Sequence, residues 1–250
     1  MNLKQLNARK IAIVAGVFFW MTEVTAVLGL LLYQGAMHDV NFILGGVGGD
    51  RNVLLGALAE ALLAVANIGT AVTLFPIVRK QSEGFALGYV AGRVVESVVI
   101  IVGIITMVTL VRMRQDVAGA AGASAVSLVV AGKTLMAIHD WTFLFGPDLV
   151  LGANSFMLAY LMYRSKLVPR FIAILGLVGG PLVSVAATLV LVGVLKQYSS
   201  IQTIAALPVF LWEASVATWM IAKGFNPAAL AALDSQGAAL DTPSLVVVAA

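Results

Sequence analysis

The chain has 250 residues, of which 61% are hydrophobic and only 11% are charged. Soluble domains carry about 25% charged residues, and a soluble fold could not bury this much apolar surface. The absence of cysteine excludes disulfides and thiolate metal sites, and the small net charge of +3 argues against nucleic-acid binding. The composition therefore predicts a single membrane domain whose main partner is the lipid bilayer.

Six apolar segments are long enough to span a bilayer. The N-terminal MNLKQLNARK is basic and leads into an apolar run that is too long for a signal peptide, which predicts a retained first helix. A spanning helix needs about 20 apolar residues, and such a run must be helical because lipid offers its backbone no hydrogen-bond partners. The sequence therefore predicts an all-α, polytopic membrane protein with six transmembrane helices near residues 11–33, 53–78, 85–111, 142–163, 171–195 and 202–223.

The stretch from residue 124 to residue 163 is longer than one span requires. At 1.5 Å per residue it would extend about 60 Å, which is twice the thickness of the bilayer core. Gly146-Pro147 predicts a bend, because proline removes a helix hydrogen bond. We expect one span from residue 142, preceded by an extra helix at the outer interface. Seven spans are the alternative, but they would submerge Lys133 and reverse the distribution of basic residues.

Basic residues between the spans predict the orientation of the chain. With the N-terminus in the cytoplasm, nine Lys and Arg residues fall on the cytoplasmic side and four on the outer side, as the positive-inside rule requires. We therefore expect both termini in the cytoplasm, a transmembrane domain over residues 1–225 and a flexible, Ala-rich cytoplasmic tail over residues 226–250. The nine are Lys4, Arg9, Lys10, Arg79, Lys80, Arg164, Lys166, Arg170 and Lys223, and the four are Arg51, Arg112, Arg114 and Lys196.

Polar residues inside the spans lie at a similar depth. Arg93 and Glu96 are three residues apart within the third span and share one face of its helix. Counting from the cytoplasmic end of each span places such residues roughly 12–18 Å deep, near the bilayer midplane. Charges at this depth cost roughly 2.5–3.5 kcal/mol on insertion scales, so we expect them to face a shared interior. This inner cluster comprises Glu23, Asn67, Arg93, Glu96, Asn154 and Glu213.

Three acids and one arginine leave the inner cluster with a formal charge of −2 unless a proton or a cation is bound. We expect the bound species to be a proton, because burial favours the neutral form of a carboxyl. We expect Arg93 to contact a carboxylate from another helix, with Glu213 and Glu23 as the favoured partners. Three interpretations stay open: a polar lock between helices, a path for a proton, ion or small solute, and a pocket for a lipid or another apolar ligand.

A second set of ionisable residues lies towards the outer side, and we call it the predicted outer site. A histidine with carboxylates can bind a divalent metal or act as acid and base, which keeps open an enzyme that acts on lipid near the outer leaflet. The simpler interpretation is that these groups face water or headgroups beside an interfacial tryptophan. No metalloprotease or serine-hydrolase motif occurs, so we assign no catalytic residue, metal or cofactor. The predicted outer site comprises Glu60, His139, Asp140 and Asp148.

Three stretches of the sequence carry a family resemblance. RKQSEGFALGYVAGRVVES, LMYRSKLVPRFIAILGLVGG and FLWEASVATWMIAKGFNPAAL resemble the bacterial integral-membrane family known as domain of unknown function 4386, over residues 5–230. The resemblance implies a six-helix protein of the bacterial inner membrane, with Arg93 and Glu213 at the family's arginine and acid positions. It implies no activity, so a structural or accessory partner of another membrane protein is a further alternative.

Overall fold

The structure is a computed structural model that describes residues 3–39, 41–45, 49–116 and 123–240. Every regular element among these residues is helical, which confirms the all-α prediction. A 3₁₀ turn covers Phe42–Leu44, and a π-helical segment, Leu144–Val150, joins the fourth helix to the fifth. The α-helices are α1 (Leu3–Met37), α2 (Asp50–Val78), α3 (Glu83–Asp116), α4 (Ala123–Phe143), α5 (Leu151–Ser165), α6 (Arg170–Leu191), α7 (Ser200–Ala222) and α8 (Pro227–Leu240).

Six helical segments in the described residues are long and apolar enough to cross a membrane, as the sequence predicts. Large apolar side chains such as Val65, Val72 and Ile105 are more than half exposed on the surface of the bundle, which suits contact with lipid tails. The chain is therefore a multi-pass membrane protein. The six segments are Asn7–Met37, Asp50–Val78, Glu83–Asp116, Ala125–Ser165, Arg170–Leu191 and Ser200–Ala222.

The fourth span is one continuous helix of 41 residues, Ala125–Ser165. Its π-helical segment contains Gly146 and Pro147, the dipeptide at which the sequence predicts a bend. Proline has no backbone N–H, so the regular hydrogen-bond ladder is interrupted there and the turn widens. A separate interfacial helix before this span is not confirmed, because α4 continues through the π-helical segment into α5 and packs along α3.

The spans form a closed ring. Helix α1 packs against α2 and α7, α3 lies between α2 and α5, and α6 lies between α5 and α7. An extensive buried apolar cluster joins their inward faces through residues that include Phe19, Leu74, Tyr89, Leu158 and Trp212. Polar side chains on these faces are therefore enclosed by an apolar core, where unpaired charges are costly.

Small residues allow neighbouring helices to approach closely. A Cβ atom at Gly92 of α3 would collide with the side-chain amide of Asn154 on α5. A Cβ atom at Gly180 of α6 would lie 2.5 Å from the carbonyl oxygen of Gly152 on α5. Close contacts of this kind stabilise helix pairs in lipid, where the hydrophobic effect does not drive association. Gly92 also has a specific consequence, because it brings Asn154 within reach of the charged residues of α3.

One end of the bundle, which we call the basic end, carries the start of α1 and the turns between α2 and α3, α5 and α6, and α7 and α8. Arg9 donates from Nη1 to the carbonyl oxygen of Met220 at 2.8 Å and from Nη2 to that of Ile221 at 2.6 Å. These bonds satisfy carbonyl groups at the C-terminus of α7 that have no partner within the helix. The N–H group of Asn226 donates to the carbonyl oxygen of Leu167 at 2.9 Å and ties two of the turns together.

Helix α8 packs on this basic end. Ala229 and Leu233 are buried in the apolar cluster of the bundle, and Lys80 Nζ lies 2.6 Å from Asp234 Oδ1. Ala229, Leu233 and Asp234 belong to the stretch 226–250 that the sequence assigns to a flexible tail. This part of the stretch is therefore helical and packed against the bundle. Residues 241–250 lie outside the described residues.

Candidate functional site

Arg93 on α3 lies at the centre of the inner cluster, and its side chain is only 1% exposed. Nη1 donates to Glu96 Oε1 at 3.3 Å and to Glu96 Oε2 at 3.2 Å. Nη2 donates to Glu213 Oε1 on α7, which is also buried. The guanidinium thus has one carboxylate from its own helix and one from another helix, the kind of pairing that depth and charge predict.

Two asparagines complete the hydrogen bonds of Glu96. Asn67 Nδ2 on α2 donates to Glu96 Oε1 at 2.9 Å, and Asn154 Nδ2 on α5 donates to Glu96 Oε2 at 2.9 Å. Asn67 Oδ1 in turn accepts from Arg93 Nη1 at 3.0 Å. The structure therefore brings five of the six predicted residues into one network that joins α2, α3, α5 and α7.

Glu23 on α1 occupies the edge of this network. Its carboxyl lies within hydrogen-bonding reach of the Glu213 carboxyl and close enough to Arg93 to feel its charge. Unlike Glu213, which is 5% exposed, Glu23 is half-buried. All six predicted residues of the inner cluster are thus neighbours, with Glu23 as the member nearest the outside of the bundle.

Neutral side chains that are absent from the predicted inner cluster also surround the guanidinium. The rings of Phe19 and Tyr89 each have their centroid 5.7 Å from Arg93 Cζ, and the Tyr89 hydroxyl lies 3.1 Å from Thr70 Oγ1. The sequence does hold a signal for Tyr89, because it precedes Arg93 by four residues and so shares its helix face. Phe19 has no such signal, since it comes from another helix. These aromatic faces add cation–π contact to a buried charge.

Several buried polar atoms beside the network have no hydrogen-bond partner among the described residues. They include Arg93 Nε, Asn154 Oδ1, Ser155 Oγ and Trp212 Nε1. An unsatisfied buried donor or acceptor typically costs about 1–3 kcal/mol. The network is therefore well paired at its carboxylates and incompletely paired around them.

The structure does not bring the four residues of the predicted outer site together, and Glu60 is paired with His139. Glu60 Oε2 accepts a hydrogen bond from the Tyr33 hydroxyl at 2.9 Å, and Oε1 lies 3.2 Å from His139 Nε2. The rings of Tyr33 and His139 meet edge to face, with their centroids 4.9 Å apart. We call Tyr33, Glu60 and His139 the outer group. Because Glu60 accepts, Nε2 of His139 carries the hydrogen in this contact.

The expectation that His139 faces water or headgroups is wrong. His139 is only 4% exposed, because it lies on the inward face of α4 and contacts Glu60 on α2, while the nearby Trp141 is exposed. Tyr33 was missed because an apolar segment that contains a tyrosine carries no charge signal. A cavity of about 290 Å³ adjoins the outer group and is lined by Leu30, Tyr33, Met37, His139, Tyr198 and Thr203, among others.

Asp140 and Asp148 form hydrogen bonds with residues outside the predicted outer site. Asp148 Oδ2 accepts from Gln202 Nε2 at 2.8 Å, and Asp140 Oδ1 accepts from the Tyr198 hydroxyl at 3.0 Å. Although Tyr198 is 46% exposed, partial burial of its hydroxyl raises its pKa above the usual range, and the nearby Asp140 carboxylate adds to this shift, so the hydroxyl donates at neutral pH. Among the described residues, no group of three or more His, Asp or Glu side chains is arranged to hold a metal ion.

Comparison with known proteins bears on the family alone. No curated protein and no solved structure matches the chain. A family model described as Domain of unknown function (DUF4386) matches residues 14–224, which overlap all six spans and include every residue of the inner cluster. The chain therefore belongs to this family, the one that its sequence resembles.

Proposed function

We propose that this multi-pass membrane protein binds and releases a proton at its inner cluster, with Glu23 and Glu213 as the carboxyl groups that share it. One observation carries the proposal: these two carboxyls lie within hydrogen-bonding reach of each other beside a buried arginine. Two ionised carboxylates are both acceptors and repel each other, whereas a single proton between them makes a hydrogen bond. The pair is therefore the part of the cluster whose charge can change.

The rest of the cluster supports this assignment. Glu96 accepts from Arg93, Asn67 and Asn154, and both of its oxygens are occupied by donors. Hydrogen bonds of this kind favour the ionised carboxylate, so Glu96 serves as the fixed counter-charge of Arg93. Glu213 also contacts the guanidinium, but its neighbour Glu23 has no cation of its own. A proton on this pair reduces the net charge of the cluster from −2 to −1.

Glu23 is the less deeply buried carboxyl of the pair. Glu213 and Arg93 are buried, whereas Glu23 is half-buried on α1, next to α7. Because the outward surface of the bundle faces lipid tails at this depth, a proton reaches Glu23 only along a polar path within the bundle, and from there it can pass to Glu213. Ionisable groups within a membrane commonly mark such proton paths.

A purely structural role is the second candidate, and the joining of four helices by the network favours it. A third alternative, an enzyme that acts on lipid near the outer leaflet, receives less support. Asp140 and Asp148 hydrogen-bond to Tyr198 and Gln202 rather than to His139. Within the predicted outer site, only His139 and Glu60 have side chains in hydrogen-bonding contact with each other.

Infrared spectroscopy of the purified protein separates the first two candidates, because a protonated carboxyl absorbs apart from a carboxylate. We expect wild type at neutral pH to show a buried, protonated carboxyl band that is lost in Glu23→Gln, since the glutamine amide donates to Glu213 and leaves it ionised. Glu83→Gln, which removes an exposed carboxyl at the start of α3, is the matched control and should leave the band unchanged. A wild-type protein without the band, or a Glu23→Gln variant that keeps it, would contradict proton binding and leave the structural role.

We further propose that the basic end lies in the cytoplasm of a bacterial cell, so that both termini are cytoplasmic. The support is the concentration of Lys and Arg residues at this end. Because the chain has no cysteine, single cysteines report accessibility directly. Lys196→Cys should react with a membrane-impermeant maleimide in intact cells, and Lys10→Cys only after lysis. The reverse pattern would contradict the orientation.

A further inference from the structure

A cavity of about 560 Å³ opens at the basic end, between the turn that joins α5 to α6 and the turn that joins α7 to α8. Its charged lining is entirely cationic: Lys166, Arg170 and Lys223 contribute to it, and no acidic residue does. Its volume lies within the range of small-ligand sites. It is separate from the inner cluster, so it is independent of the proton-binding proposal.

The three cations are not neutralised by the protein. Across the described part of the chain, none of them takes part in an ion pair, and Arg170 instead lies over the ring of Tyr163, 4.8 Å from its centroid. Arg9, by contrast, is engaged with carbonyl oxygens at the end of α7. Like charges around one cavity repel each other, and an anion in the cavity would relieve that repulsion.

The shape of the cavity is held by the backbone. The hydrogen bond from the Asn226 N–H to the Leu167 carbonyl joins its two walls at 2.9 Å. Gly224, with φ of 75°, allows the sharp turn after α7, and Lys166, with φ of 59°, makes the corresponding turn after α5. The cations are therefore presented by two turns that are tied to each other.

Apart from Asn226, the remaining walls are apolar, and they indicate what the anion is attached to. Trp219 and Phe225 line the cavity, together with Leu167, Val168 and Pro169. Tryptophan is characteristic of the interface between lipid tails and headgroups, and Trp219 lies in the last turn of a spanning helix. Basic pockets between helices at the cytoplasmic side suit lipid phosphate groups.

We infer that this cavity binds an anionic phosphate group, carried either by the headgroup of a phospholipid or by a soluble phosphate ester. Arg170 and Lys223 supply the charge from the two opposing walls. The apolar walls lie beside the glycerol or the first carbons of the chain that bears the phosphate.

The test measures the affinity of the full chain, in neutral detergent, for single molecules of phosphatidylglycerol by native mass spectrometry. Phosphatidylcholine, whose headgroup has no net charge, and soluble glycerol 3-phosphate are the comparison ligands. The test variant is Arg170→Gln with Lys223→Gln. The matched control is Lys10→Gln with Arg79→Gln, which removes two exposed charges from the same end but none from the cavity.

We expect phosphatidylglycerol to bind more tightly than phosphatidylcholine, and the test variant to lose about 25-fold in affinity, since each basic residue near an anionic group contributes about fivefold. The control should lose less than about twofold. Binding of glycerol 3-phosphate with the same dependence on Arg170 and Lys223, but no preference for phosphatidylglycerol, would support the site and identify a soluble ester as the source. Equal losses in the two variants, or no loss in either, would overturn the inference.

Discussion

The inner cluster and the outer group both bury carboxylates, but they satisfy them with different partners. In the inner cluster the main partner is the guanidinium of Arg93, which stays charged at any physiological pH, so it always requires a counter-charge. In the outer group Glu60 contacts the Tyr33 hydroxyl and the His139 ring, neither of which carries the permanent charge of a guanidinium. A permanent buried charge tolerates the loss of a partner less well than a neutral donor does, so equivalent substitutions should cost more in the inner cluster.

Replacement of Arg93 gives the largest effect and tests this comparison directly. Arg93→Ala leaves Glu96 and Glu213 as buried carboxylates without a cation, and removing one partner of a buried pair typically costs about 3–5 kcal/mol of unfolding free energy. Denaturant unfolding in detergent measures it. Arg79→Ala, which removes an exposed arginine near the basic end, should change stability by about 0.5 kcal/mol or less.

A companion variant separates the loss of pairing from the loss of the side chains. Replacing Arg93, Glu96 and Glu213 together with Met, Leu and Leu removes the ionic groups as a set, and should cost much less than Arg93→Ala alone. If Arg93→Ala is as stable as wild type, the ion pairs of Arg93 do not contribute to the stability of the protein.

The outer group should show the second-largest effect. Glu60→Leu leaves the hydroxyl of Tyr33 and Nε2 of His139 without an acceptor, and we expect a loss of about 2–3 kcal/mol. Glu60→Gln keeps an acceptor oxygen at the same position and should cost less. A loss from Glu60→Leu that equals the loss from Arg93→Ala would contradict the comparison, because donors without a permanent charge would then need their partner as much as the guanidinium does.

The close approach of α5 to α3 beside the inner cluster should give a third loss of stability, of intermediate size. Gly92→Ala places a methyl group where the amide of Asn154 now lies, and overpacking of this kind typically costs about 1–3 kcal/mol. Gly84→Ala is the matched control in the same helix, since no atom lies within 4 Å of its added Cβ. Thermal unfolding of both variants in one detergent measures the difference. Equal stability of the two would mean that Asn154 moves aside without cost.

The sequence predicts the fold and the inner cluster well because both depend on position along a helix. Apolar runs give the six spans, and the absent N–H of Pro147 gives the place where the fourth span changes its helical geometry. Depth follows from the rise of 1.5 Å per residue, so residues as distant in sequence as Asn67 and Glu213 can be matched across helices.

The direction in which a side chain points around the helix axis is harder to predict, and the predicted outer site illustrates this. His139 and Asp140 are adjacent in sequence, but successive residues of a helix point about 100° apart, so one bonds to Glu60 and the other to Tyr198. Gln202, which donates to Asp148, carries no charge and gave no signal. These partners depend on how the helices pack, which hydropathy does not encode.

The smallest effect is expected at Tyr198, which lies between two spans and bonds to Asp140. Tyr198→Phe removes one hydrogen bond and should cost about 1 kcal/mol at neutral pH. The pH dependence is more informative than this cost. Partial burial of the hydroxyl raises the pKa of Tyr198 in the folded state, whereas in the unfolded chain it titrates near its ordinary value of about 10.

Above that ordinary value the unfolded state releases the proton while the folded state keeps it, so rising pH favours unfolding of the wild type. The stability advantage of wild type over Tyr198→Phe should therefore be fully present below about pH 9 and decrease as the pH rises towards about 11. Thermal unfolding of the two proteins across this window measures the difference, and other tyrosines cancel because they are common to both. Lys196→Gln, at an exposed neighbouring position, should follow the wild-type profile throughout. A difference between wild type and Tyr198→Phe that does not change with pH would mean that the hydroxyl of Tyr198 is accessible to water, and that its contact with Asp140 contributes little.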